Sequence, residues 1–362
     1  MASLIETEVF NNADKIIAGW YWALRSSDLK RGRAKPLSFL GREMVVYRGE
    51  DERVVAMDAY CPHMGAHLAE GKVEGDSIRC LFHYWKYDST GKCVEIPCQD
   101  SSSFVPQIRT WPVEERYGLI WIWTGATPRQ PLPCPPELEG RECDYRLANR
   151  FTKSCHPNVV MINAIDAQHF NSVHSLPVEL NLEAEEINDN CITFSNTTKI
   201  PRTSAFTRFL GRFYTDALTY SLSYWFASTG TVTSGPDFLH VYLMFALRPT
   251  EDGRTEGQTI LITRKRRGLS GKIMSLVVLM LSRLVAAYFA KGDTLIFETI
   301  RFNLRTPIKA DRAIIRFIQH AERQKTVLWG LAEEDASECA ESNAESKESF
   351  AATFQLPVSG RG

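Results

Sequence analysis

Along the first third of the chain, short apolar runs alternate with clusters of turn-forming residues. Positions 44–47, 54–58 and 119–123 are rich in β-branched and aromatic side chains. Gly49-Glu50-Asp51, Gly75-Asp76 and Ser89-Thr90-Gly91 supply turns between such runs. The pattern predicts a small antiparallel β-domain over 17–127. A stretch with five prolines follows at 128–136. Proline fixes φ and removes a donor, so it sustains neither a helix nor a central strand, and 128–144 is expected to connect two domains. The second region, 145–331, mixes periods. A helical segment is expected near 159–169, β-rich pieces at 191–198, 219–229, 240–248 and 259–263, and helices again at 272–290 and 308–331. Consecutive strands flanked by separate helices predict an α+β domain around an antiparallel sheet. From 332 onward an acidic, Ala- and Ser-rich composition leaves little to bury, so 332–362 is expected to be a disordered tail.

One helical stretch is unusually apolar. Positions 273–281 are almost all hydrophobic, and the character resumes over 284–290 after Ser282 and Arg283. A spanning helix needs about 20 uninterrupted apolar residues, and Arg283 interrupts this one. The expectation is a core helix following the solvated basic turn Arg264-Lys265-Arg266-Arg267. The alternatives are a peripheral membrane contact through 273–290 or a basic docking patch for an acidic redox partner.

Length and composition narrow the class. The chain has 362 residues, 44% hydrophobic and 23% charged, with net charge −1. That is room for two domains with their own cores, and nothing in it argues for nucleic acid as a partner. The N-terminus lacks a basic head followed by an apolar stretch, so no secretory signal is read and a cytoplasmic location is expected. The nine cysteines are then expected as thiols or metal ligands rather than disulfides.

Two constellations carry chemistry. The first is Cys61-Pro62-His63, then sixteen residues, then Cys80-Leu81-Phe82-His83. Two thiolates and two imidazoles suit zinc or an iron–sulfur cluster. One cysteine and one histidine on each loop let both thiolates fall on one iron and both imidazoles on the other, the arrangement of a Rieske [2Fe–2S] centre. A structural zinc site is the alternative. His67 lies outside this spacing and is expected at the surface, whereas Tyr84, Trp85 and Tyr87 are placed to shield the cluster.

The second constellation runs from Asn163 through Asp166 and His169 to His174. Asn163, Asp166 and His169, three apart, would share one helix face. His174 follows His169 by five, too far round a regular helix for adjacent ligands, so the helix must widen or stop between them. Two histidines and one carboxylate form the facial triad of mononuclear non-haem Fe(II), which leaves positions open for O₂ and substrate. Asp166 is the nearest carboxylate but suits an orienting role. Among remote candidates Asp293 stands first and Glu298 second.

These motifs together resemble the oxygenase (alpha) subunits of Rieske non-haem iron oxygenases, with similarity to aminopyrrolnitrin oxygenase, the 3-ketosteroid 9α-hydroxylase oxygenase component and the cholesterol desaturases. The resemblance covers about 20–329. It implies an all-β Rieske domain followed by a helix-grip catalytic domain, and a [2Fe–2S] cluster on Cys61, His63, Cys80 and His83. It also implies Fe(II) on His169, His174 and Asp293, the last favoured over Glu298 because Asp293 through Phe297 fits a D-x-x-I-aromatic pattern. A head-to-tail homotrimer is implied too, with Asp166 linking His83 of one subunit to His169 of the next. An NAD(P)H-dependent reductase or ferredoxin would supply electrons. The expected reaction is monooxygenation (C–H hydroxylation) of a hydrophobic aromatic or polycyclic molecule with O₂. N-oxygenation of an arylamine and simple electron transfer are the alternatives. Leu81 and Tyr84 depart from the pattern, standing where such proteins commonly have proline and glycine.

Overall fold

The structure is a computed structural model, described here for residues 7–97, 105–174, 181–198, 218–236, 240–327 and 329. Cys98, Cys339 and the expected tail at 332–362 lie outside the described residues.

Among the described residues the first domain is built from three small antiparallel sheets. Strands Thr110–Trp111, Val54–Asp58, Arg42–Arg48 and Arg33–Phe39 lie side by side in one, and the last three follow one another through tight turns, the one at Gly49-Glu50-Asp51 as the sequence predicts. A second carries Lys72–Glu74, Ser77–Arg79, Lys86–Tyr87 and Cys93–Glu95. Its core partners, Val45, Tyr47, Met57, Ile78 and Tyr87, are fully buried. The third sheet pairs Val113–Arg116, Leu119–Trp123 and Trp20–Arg25.

In that third sheet every residue of Leu119–Trp123 is buried. Strand side chains alternate between faces, and here each face meets a different core. Ile120 and Ile122, with Tyr21 and Ala23, pack among Phe39, Met44 and Val46 of the first domain. Leu119, Trp121 and Trp123, with Trp20 and Trp22, pack among Phe226, Leu247 and Leu261 of the second. The continuous apolar run in the sequence is thus a strand buried on both sides. Polar contacts reinforce the seam. Arg248 donates to the carbonyls of Trp22 (3.2 Å) and Ala23 (2.9 Å), and Arg25 to Gln258 Oε1 (3.0 Å).

The second domain centres on an antiparallel sheet of seven strands among the described residues. Their order is Cys143–Lys153, Thr255–Arg264, Val241–Pro249, Thr229–Pro236, Leu218–Trp225, Cys191–Thr198 and Glu183–Asn188. The sequence pattern finds the middle of this sheet, with strand 240–248 shifted by one residue and 219–229 divided between two strands. It misses both edges, Cys143–Lys153 and Glu183–Asn188, whose charged residues face solvent and mask the alternation. Among the described residues four helices serve this sheet: α1 (Pro157–Ile162), α2 (Ala167–Ser172), α3 (Gly268–Thr299) and α4 (Arg312–Glu322). The expected helix over 308–331 is shorter. It ends at Glu322, and Thr326–Val327 instead pairs antiparallel with Ile16–Ile17.

The expectation that 273–290 is a core helix is not met. One face of α3 packs on the sheet through Ser275, Val278, Leu279 and Ser282, while Leu269, Ile273, Leu276, Met280 and Leu284 are exposed. A hydrophobic sequence records only that the helix avoids water, not what covers it.

His156 caps α1. Its Nδ1 accepts from the Asn158 amide (3.3 Å), with Pro157 in the first turn where no amide donor is needed. Burial pushes the His156 pKa down to about 4. An unfolded histidine titrates near its usual 6.5, so between pH 6.5 and about 4 the unfolded chain binds the extra proton and stability falls with falling pH. The loss should approach about 3 kcal/mol. Denaturant unfolding of the protein at pH 7 and pH 5 should show this slope, and His156→Asn, which keeps a cap without a titrating group, should flatten it.

Candidate metal centres

The four cluster residues sit at the tips of two loops that the small sheets hold face to face. Cys61 and His63 follow strand Val54–Asp58, and Cys80 and His83 occupy the turn between Ser77–Arg79 and Lys86–Tyr87. Both cysteines are buried, His63 is exposed and His83 half-buried, and the imidazole centroids are 4.5 Å apart. Trp85 stacks flat on His63 at 4.3 Å, and the Tyr87 hydroxyl lies 3.1 Å from Cys61 Sγ. Burial pushes the Cys61 thiol up and the nearby Cys80 adds to this, while the Tyr87 hydroxyl and the His63 backbone pull it down. Two buried thiols that oppose each other's ionisation suit a cationic iron pair, which favours the thiolates. The donor set therefore fits a [2Fe–2S] cluster, with thiolates inward and imidazoles toward solvent.

Tyr84, the departure noted from the sequence, takes φ +60°. Glycine adopts this left-handed region freely, and another residue strains there by about 1 kcal/mol. Arg79 holds the turn. It donates to the Tyr84 carbonyl (2.8 Å) and pairs with Glu74 (2.9 Å) and Glu95 (2.8 Å). Neither Tyr84 nor Leu81 shields the cluster, for both are exposed. His67 is not simply a surface residue. Half-buried, it accepts from the Ala69 amide (3.1 Å) and caps the short turn Leu68–Glu70.

The second centre forms where a broken helix meets α3. The chain does not run as one helix from 159 to 169. It passes from α1 through the turn Asn163–Ile165 to an extended Asp166, which starts α2. Asp166 Oδ1 accepts from the amides of Gln168 (2.9 Å) and His169 (3.3 Å), so the residue caps α2 rather than sharing a face with Asn163. Helix α2 ends at Ser172, which frees His174 to turn back toward His169. Two tyrosines, Tyr224 buried and Tyr220 half-buried, pin the segment to the sheet. Tyr224 donates to the Met161 carbonyl (2.8 Å) and Tyr220 to that of Ala164 (2.9 Å).

His169, His174 and Asp293 are all buried, and their ligand atoms lie within 4.8 Å of one another. Asp293 Oδ1 is 3.0 Å from His174 Nε2 and 3.9 Å from His169 Nε2. Asn163 Nδ2 donates to Asp293 Oδ2 (2.7 Å), while Oδ1 accepts no hydrogen bond among the described residues. His169 Nδ1 is 2.7 Å from the Asp166 carbonyl. A carbonyl only accepts, so Nδ1 carries the proton and the Nε2 lone pair faces Asp293. Gly292 leaves the room this requires, since a Cβ there would meet His174 Cε1 at 3.0 Å and Val173 Cγ1 at 2.9 Å. Glu298, the second remote candidate, is exposed and outside the trio. Two imidazole nitrogens and one open carboxylate oxygen on one side fit Fe(II) with free positions opposite. Sequence spacing marked Asn163 only by periodicity, and gave no sign of Gly292 or of Tyr288, whose hydroxyl donates to the His174 carbonyl (3.0 Å).

Above the trio lies a cavity of about 700 Å³. Phe151, Tyr220, Tyr224, Leu243, Phe245 and Phe297 give it a mainly apolar wall, and its size suits a drug-sized hydrophobic ligand.

Comparison with known proteins agrees with this geometry. Residues 19–112 match the model of the Rieske [2Fe–2S] domain. The chain is 42% identical over 161 residues to cholesterol 7-desaturase of Bombyx mori, covering 43% of this chain and 35% of that protein. It is 35% identical over 183 residues to aminopyrrolnitrin oxygenase of Pseudomonas fluorescens, 47% of this chain and 49% of that one. It is 28% identical over 169 residues to the oxygenase component of 3-ketosteroid-9-alpha-monooxygenase of Rhodococcus rhodochrous, 45% of each. The chain thus spans half or less of the length of these curated relatives. The fold extends further. The terminal oxygenase of carbazole 1,9a-dioxygenase from Nocardioides aromaticivorans IC177 aligns with a TM-score of 0.59 at 16% identity, over 86% of this chain and 95% of that one. The first domain is a Rieske [2Fe–2S] domain, and the two domains together share the fold of that terminal oxygenase.

Asn163→Ala should weaken Fe(II) binding at the trio about 10- to 100-fold by freeing the Asp293 carboxylate to rotate. Gly292→Ala should weaken it by pushing His174 aside. Anaerobic Fe(II) titration would measure both, with the visible absorption of the first domain's cluster unchanged.

Proposed function

We propose that the chain is the oxygenase component of a Rieske non-haem iron system that monooxygenates a hydrophobic small molecule, by C–H hydroxylation of an aromatic or polycyclic skeleton. One observation carries the reading: a buried two-histidine, one-carboxylate trio opens into a large apolar cavity on the same chain as a Rieske domain. The roles follow from position. Cys61, His63, Cys80 and His83 would hold the cluster, and His169, His174 and Asp293 the iron. When bound, these groups supply one-electron transfer and O₂ activation. The overall change consumes one O₂, two electrons and two protons and yields the alcohol and water.

The chain's own residues prepare that chemistry. Asn163 fixes the Asp293 carboxylate and the Asp166 carbonyl fixes the His169 tautomer, so the donors need no rearrangement to bind metal. The aromatic wall excludes water and orients an apolar substrate. The exposed His63 and half-buried His83 place the cluster's edge at the surface, where a neighbouring subunit or a reductase can approach. We assign a head-to-tail homotrimer in which Asp166 links the two centres across subunits, and a separate NAD(P)H-dependent reductase or ferredoxin as donor. We also place the protein in the cytoplasm, a reducing compartment that suits the free cysteines, Cys61 and Cys80 among them.

N-oxygenation of an arylamine is the second reading, supported by the similarity to aminopyrrolnitrin oxygenase. Turnover by the purified, reductase-coupled protein on arylamines, sterols and polycyclic scaffolds, followed by O₂ uptake and product mass, separates the two. Iron analysis should give about three irons per chain, against about two for a plain electron-transfer Rieske protein.

Asp166→Asn should keep α2 intact, because asparagine caps a helix as well as aspartate, and should leave both metal sites filled. Turnover should fall by about two orders of magnitude or more, the scale of losing an essential positioned group. Near-normal turnover would remove Asp166 from the electron path.

A further inference from the structure

We propose that the outer face of α3 docks on an anionic lipid bilayer and that the cavity draws its ligand from that bilayer. The second half of the proposal rests on the reading of the cavity as a substrate pocket; the first does not.

The exposed apolar residues of α3 form one stripe. Leu269, Ile273, Leu276, Met280, Leu284 and Tyr288 recur every three or four residues and are all exposed, as are Met274, Val277 and Leu281 beside them. At 1.5 Å per residue the stripe is about 30 Å long. A contiguous apolar surface of this extent is uncommon on a soluble protein and marks an interaction site. The stretch Gly268–Tyr288 is long and apolar enough to cross a membrane, yet only 24% of it is buried. Spanning is excluded by the opposite face, where Ser275, Val278, Leu279 and Ser282 are buried against the sheet. The helix can therefore lie in an interface but not pass through it.

Charge identifies the occupant. Arg264, Lys265, Arg267 and Lys272 are exposed at the N-terminal end of the stripe. Arg264 ends the preceding strand, and Lys265, next after it, pairs at 3.4 Å with an exposed Glu142. Basic residues beside an apolar helix face match anionic headgroups above acyl chains, and the cytoplasmic leaflet carries such lipid. Part of the cavity's exposed lining lies on the same helix, and Asn149 and Arg150 of the edge strand supply the rest. Arg283, Ala286, Ala287, Ala290 and Thr294 line the cavity, and Arg283, Ala287 and Ala290 are also exposed. The cavity thus opens at the edge of the apolar stripe, between small alanine side chains. Tyr288 ties the stripe to the metal trio, its ring 6.0 Å from that of His174 and its hydroxyl on the His174 carbonyl. A molecule dissolved in the bilayer would enter without crossing water.

The test is co-sedimentation of the full chain, cluster loaded, with phosphatidylcholine vesicles with and without phosphatidylglycerol. Binding should require the anionic lipid and fall as salt rises. Each basic residue near an anionic surface contributes about fivefold, so Arg264→Gln with Arg267→Gln should cost about 25-fold. Leu276→Glu with Leu284→Glu should abolish binding, and the milder Leu276→Gln should weaken it severalfold. Cluster absorbance and circular dichroism of each variant report its fold. Absence of vesicle binding by the unaltered protein, or binding indifferent to both sets of substitutions, would overturn the proposal. So would a drop in oligomeric state for the leucine variants without change in vesicle binding, which would make the stripe a contact between copies. Turnover of a water-soluble substrate analogue stays normal in these variants if the oxygenase reading holds, so the two readings fail separately.

Discussion

Everything in this molecule is referred to one strand pair with no solvent face. Leu119–Trp123 and its partner Trp20–Arg25 send alternate side chains into two cores. A register slip of one residue would exchange the two sets, putting Ile120 and Ile122 where the tryptophans belong. Indole and isoleucine differ too much in volume for either core to accept the exchange. The two domains are therefore fixed in orientation by packing rather than by the proline-rich connection. The cluster loops extend from one side of this plate, and the sheet carrying the tyrosines that pin α1 and the turn before α2 packs on the other.

The two centres use different means to hold their ligands. At the cluster, short strands and an arginine clamp hold loop tips, and a strained Tyr84 is tolerated because Arg79 fixes its carbonyl. At the trio, the decisive device is interruption. A continuous helix could not bring His169 and His174 to one point. Asp166 leaves the helical conformation to start α2, which then stops at Ser172. Helix α3 closes the third side, with Gly292 supplying the space its neighbour Asp293 requires.

Much of this was legible in the residues. The cysteine and histidine spacing marked the first centre because metal geometry constrains ligand type and loop length directly. The five-residue gap from His169 to His174 announced a helix that stops. The placement of the break at Asp166 was not legible, because aspartate fits either a helix face or a cap and only Tyr220 and Tyr224, far along the chain, decide between them. The edge strands were hidden by their charged faces. For α3 the residues record hydrophobicity without a partner, and exposure is a tertiary property that periodicity cannot carry when nearly every position is apolar.

Trp329 has a consequence of a different kind. It packs against Phe39 and Trp111 in the first domain's core, and its indole donates to the Phe39 carbonyl at 2.9 Å. Beside it, Thr326–Val327 closes on Ile16–Ile17. The first domain's hydrophobic interior is thus completed by residues synthesised some 300 positions after its first strand. During translation that domain must wait, its core open, until the second has been made and folded back. Assembly of the molecule is in this sense circular: the part made first is finished last.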